Sequence, residues 1–70
     1  MMPLTMLGSG QTASIKRVGG QNDVRKFLES LGFVTGEEVK IVSVNGGNII
    51  VQVKESRVAV SKGIANKIMV

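Results

Sequence analysis

The sequence predicts a mainly β fold: a small, partly open barrel of about five short strands carrying one inserted α-helix over residues 22–32. Three observations predict it. Helical spacing of apolar residues is sustained only once, at Val24, Phe27, Leu28 and Leu31, whose i, i+3, i+4, i+7 pattern sets four side chains on one stripe. Apolar and polar residues alternate elsewhere, most regularly from Asn48 to Lys54. Turn-forming clusters separate these stretches at Gly8-Ser9-Gly10, Gly19-Gly20, Asn45-Gly46-Gly47-Asn48 and Glu55-Ser56. A lone amphipathic helix cannot bury its stripe, so the strands must curl around it or offer it one open end of a small barrel, and closing them into a barrel hides their edges.

Each element follows from its residues. Leu4-Thr5-Met6-Leu7 reads as one apolar turn against the barrel wall. Thr12 to Val18 reads as the first strand, with Ala13 and Ile15 inward and Ser14 and Lys16 outward, until Arg17-Val18 breaks the alternation. A bulge near Lys16 would restore the phase, because one extra residue flips every side chain after it. Asn22 suits the helix N-cap, and Asp23 places a negative charge on the first turn. Gly32 stops the helix by taking a left-handed conformation, which folds Phe33 back onto Leu28 in a Schellman ending. Glu38 to Val44 and Asn48 to Lys54 form the second and third strands of a hairpin, since Asn and Gly tolerate positive φ at its turn. Arg57 to Val60 is the fourth strand, Ser61 caps a short turn, and Lys67 to Val70 closes the barrel with Ile68 and Val70 against the first strand.

Composition narrows the function. Seventy residues, 43% hydrophobic and 20% charged, make one ordinary globular domain with a small core. No apolar run nears the roughly 18 residues that span a bilayer, and the first residues lack the charged and apolar regions of a signal peptide, so a cytoplasmic location is expected. Cysteine and histidine are absent, which removes disulfides, thiol nucleophiles and imidazole bases. With no nucleophile beside a base, no phosphate-cradling glycine loop and no spaced carboxylate pair, the chain reads as a non-enzyme without cofactor.

Two binding classes stay open. The oxygen ligands for a transition metal are Asp23, Glu29, Glu37, Glu38 and Glu55; Glu37 and Glu38 are adjacent, but neighbouring strand residues point to opposite faces. The net charge of +4 permits attraction to acidic partners, nucleic acid included, yet there is no Trp or Tyr on which bases would stack.

Several motifs together resemble the FeoA family, the small accessory proteins of bacterial ferrous-iron uptake. They are Pro3-Leu4-Thr5-Met6-Leu7, Gly10-Gln11, Ile15-Lys16-Arg17-Val18, the run from Leu28 through Gly32 and Gly36 to Val39, Ser56-Arg57-Val58-Ala59-Val60-Ser61, and Ala65-Asn66-Lys67-Ile68-Met69-Val70. The pattern departs from the family at the short 44–49 hairpin and at Gly63. The resemblance implies an SH3-like barrel with an added helix, and a role assisting FeoB, the ferrous-iron permease with a cytoplasmic GTP-binding domain, by protein contact. A contact surface would use groups left over from the core: Leu4, Met6 and Leu7 near the start, Phe33 and Val34 beyond the helix, and Ile50 on the outer face of its strand. Arg25 and Lys26 on the exposed side of the helix would add attraction to an acidic partner. Self-association of the chain stays open.

Overall fold

A computed structural model describes residues 1–70. A 3-10 turn at Leu4–Met6 leads to β1 (Thr12–Ser14), β2 (Arg17–Val18) and helix α1 (Asn22–Ser30); β3 (Glu38–Asn45), β4 (Asn48–Val53) and β5 (Ser56–Ser61) follow, then a single helical turn α2 (Lys62–Ala65) and β6 (Ile68–Met69). The strands form two antiparallel sheets, one ordered β1-β3-β4-β5 and one pairing β2 with β6. The barrel is therefore built from six short strands rather than five.

The expected first strand is broken in two, and the reason differs from a bulge near Lys16. Thr12 to Ser14 pair with β3, after which the Ile15 N–H donates to the Glu37 carbonyl and the Lys16 N–H donates to the Met69 carbonyl. The chain thus changes sheets at Ile15-Lys16, and the lost alternation marks a change of partner. Arg17 and Val18 then face Met69 and Ile68, so the closing strand lies against the first as expected, over the shorter span of β6. The closing segment is also paired with the N-terminal residues, where Pro3 bridges Met69 and Met2 and Val70 exchange two backbone hydrogen bonds.

The one bulge lies instead in β3, between Ile41 and Ser43. Ile41 opposes Val51 and Ser43 opposes Ile50, so Val42 is the extra residue. Val39 and Ile41 point into the core with Val53 and Val51, while past the bulge Ser43 shares the outer face with Ile50. The hairpin turn is Gly46-Gly47, with Gly46 at φ 55°.

Helix α1 ends two residues before the expected Gly32. Its ending is a Schellman motif: the Gly32 N–H donates to the Glu29 carbonyl and the Phe33 N–H to the Leu28 carbonyl, both at 3.0 Å, with Gly32 at φ 106°. Leu28 and Phe33 are both fully buried in one core with Leu4, Ile15, Val39, Ile41, Ile49, Val51, Val53, Val60, Ala65 and Ile68. At its other end the N-cap is Gln21, not Asn22, and Gln21 makes no side-chain capping bond. Asn22 Oδ1 instead accepts from the Arg25 guanidinium at 2.6 Å.

The stripe is narrower than its four residues implied. At about 100° per residue, Val24, Leu28 and Leu31 fall within roughly 60° of one another, while Phe27 lies about 40° beyond Leu31 on one side. Phe27 is accordingly 52% exposed, a correction to its expected place in the core. The last helical turn is capped as expected, with Ser61 Oγ accepting from the Ile64 N–H at 3.3 Å. No helix is long and apolar enough to cross a membrane.

Candidate functional site

The largest concavity is a cleft of about 450 Å³ between β2, the outward flank of α1 and the segment after the helix. It is lined by Lys16, Arg17 and Val18 from β2 and the residue before it, by Arg25 and Glu29 from α1, and by Val34 and Thr35 with the buried Phe33 from the segment after the helix. The lining has local causes. The sheet change at Ile15-Lys16 turns two successive cations onto the same cleft. On the helix, Arg25 and Glu29 are four residues apart and share a face.

The charges of the cleft are not neutralised within it. The chain's one ion pair, Lys54 to Glu37 at 3.9 Å, lies elsewhere, so Lys16, Arg17, Arg25 and Glu29 have no oppositely charged partner within 4.0 Å. Arg25 and Glu29 stand in the less favourable order for an i, i+4 pair, and Arg25 is held back by Asn22. Three cations against one carboxylate leave the cleft net positive, with apolar surface from Val18 and Val34 between them. A second, shallower hollow of about 150 Å³ runs along Thr12, Glu38, Val39, Lys40, Gln52 and Lys54.

The structure sorts the expected contact residues. Arg25 and Val34 meet at the cleft, and the buried Phe33 is also in its lining. Phe33 and Leu4, both 0% exposed, are removed as docking groups: the Schellman turn drives Phe33 under the sheet, and the 3-10 turn points Leu4 into the core. Leu7 is half-buried against that core, and Met6 is 67% exposed near the N-terminus. Lys26 is exposed on α1 but is not part of the cleft, and Ile50 is half-buried on the outer sheet face opposite Ser43 and Ala59. Lys16, Arg17, Val18, Glu29 and Thr35 were not among the expected contact residues. Their signal was the adjacent Lys16-Arg17 pair at the broken alternation. For metal ions, no three acidic side chains gather at any point of the surface or core.

Two small antiparallel sheets carrying one inserted, mostly exposed helix make a small SH3-like domain with a charged cleft. The FeoA domain matches residues 2–70, and the chain belongs to that family of small accessory, transport-related domains. An Fe(2+) transport protein A of Methanocaldococcus jannaschii is 30% identical over 70 residues, covering 100% of this chain and 85% of the relative. Among solved structures, Stenotrophomonas maltophilia FeoA, described as a zinc complex and an SH3 domain protein, superposes with TM-score 0.86 at 31% identity over 99% of this chain and 88% of its own. Iron(II) transport protein A of Clostridium thermocellum gives TM-score 0.91 at 33% identity, over 97% of this chain and 43% of its own.

Proposed function

We propose that this protein is a cytoplasmic accessory of ferrous-iron uptake that acts by direct contact with the FeoB-type permease. The observation that carries the reading is the FeoA-domain match over residues 2–70, supported by a relative named for Fe(2+) transport. The geometry is suited to contact. Its largest concavity offers unpaired cations and apolar surface, which bind and orient a partner and need no reacting group. Direct metal binding is the less favoured role, because the five acidic side chains are dispersed.

The test is co-elution of the purified chain with the host's detergent-solubilised permease on size exclusion at moderate salt. A stoichiometric complex that survives added salt is expected; a complex that vanishes at modest ionic strength would mean only non-specific attraction of a basic protein, and would refute the reading.

A further inference from the structure

We propose that the cleft between β2 and α1 receives an acidic peptide segment of a partner protein, its carboxylates meeting Lys16, Arg17 and Arg25 while its aliphatic side chains lie on Val18 and Val34. The inference rests on the protein-contact reading above and names the chemistry of the contact.

Charge comes first. Three of the chain's nine basic residues line this one cleft, and none has an acidic partner within 4.0 Å. Like charges around a concave, partly apolar surface repel one another most where they lie within a Debye length, about 8–10 Å at ordinary salt, and an anionic ligand relieves that repulsion. Two of the three are arginines, whose planar forks hold a carboxylate through paired N–H donors.

The rest of the lining selects a peptide over other anions. Glu29 lines the cleft from the same helix as Arg25 and repels a dense polyanion, whereas a segment whose carboxylates are spaced by aliphatic residues can leave Glu29 facing solvent. Val18 and Val34 give those aliphatic residues a surface that a free phosphate would not use. Nucleic acid lacks a stacking group here, since Phe33 is fully buried and Phe27 is not part of the cleft. Finally, β2 is hydrogen-bonded on one side only, to β6, and its residues wall the cleft, so an extended segment can add to it as a strand while placing side chains inside. A volume of about 450 Å³ admits a few side chains.

The experiment is a set of amide NMR titrations of the labelled chain at matched ionic strength. The probes are a short blocked peptide alternating glutamate and leucine, its glutamine counterpart, inorganic phosphate, a short single-stranded RNA, and the cytoplasmic part of the host permease. Saturable shifts at Lys16 to Val18, Arg25, Glu29, Val34 and Thr35 are expected with the acidic peptide and not with the glutamine peptide. Binding should weaken about tenfold or more in Arg17→Gln/Arg25→Gln and in Lys16→Gln/Arg17→Gln, which leaves the helix untouched, and stay unchanged in Arg57→Gln on β5. The proposal is overturned if phosphate or RNA binds the cleft as tightly as the peptide, if the shifts spread over basic residues generally, or if both double variants bind normally. Permease binding at another face, with no peptide binding, overturns the cleft assignment and leaves the proposed function standing. Peptide binding at the cleft without permease binding does the reverse.

Discussion

Phe27 stands on the helix stripe in the sequence and Phe33 just beyond the helix end, and the structure assigns them opposite weights. Phe33 is 0% exposed and Phe27 52% exposed. A domain of this length has a total stability of roughly 4–10 kcal/mol. Phe33→Ala leaves a cavity in a tightly packed core and should cost about 3–5 kcal/mol, enough to unfold much of the population. Phe33→Leu keeps most of the volume and should cost about 1–1.5 kcal/mol. With a urea slope of about 1 kcal/mol/M for so small a protein, that cost lowers the midpoint by about 1 M. Phe27→Ala removes a half-solvated ring and introduces the best helix former, so its midpoint should move by no more than about 0.5 M either way. Urea melts followed by far-UV circular dichroism measure both, the chain having no Trp or Tyr to report by fluorescence. Equal midpoints for Phe33→Leu and wild type, or a larger loss for Phe27→Ala than for Phe33→Leu, would refute the assigned packing.

Three further substitutions test local geometry by the same melts. Gly32→Ala forces a side chain to φ 106° with Lys54 Cδ at 3.3 Å and Val53 Cγ2 at 3.5 Å from its Cβ, and should cost about 1–2 kcal/mol; no loss would contradict the Schellman ending. Lys54→Gly should instead be neutral to stabilising by up to about 1 kcal/mol, because Lys54 is the one non-glycine at positive φ, 54°, and its ion pair with Glu37 is largely solvated. A clear loss of stability would show that the Lys54 side chain covering Gly32 outweighs the backbone strain. Ser61→Ala removes the cap on the Ile64 N–H and should cost about 0.5–1 kcal/mol, with Ser61→Asp restoring most of it.

Elements set by neighbours in sequence were legible, and elements set by distant partners were not. The helix stop at Gly32 and the fold-back of Phe33 depend on a few consecutive residues, and the two hydrogen bonds of the motif form as expected. The Gly46-Gly47 turn and the Ser61 cap are equally local. The break at Ile15-Lys16 was visible as lost alternation, but its cause is the placement of Glu37 on one side and Met69 on the other, which no local pattern encodes. The bulge at Val42 was hidden because Ile41, Val42 and Val44 are all apolar, so the alternation gave no sign of a changed phase.

The candidate site divides in the same way. Arg25 and Val34 could be singled out because they lie on or just beyond the helix, which the sequence marks clearly. Lys16 and Arg17 join them only through the change of sheets. Leu4 was misjudged for a related reason: a short apolar turn near the start has two faces, and the pairing of Met2 with Val70 decides which is buried.

The central claim is that this FeoA-family chain supports ferrous-iron entry by acting on the permease through contact. Its most direct test is radioiron Fe(II) uptake in host cells lacking this protein, with permease levels checked by immunoblot. Uptake should fall while the permease remains in the membrane, and return when the wild-type chain is supplied. Unchanged uptake in its absence, at equal permease levels, would contradict the account.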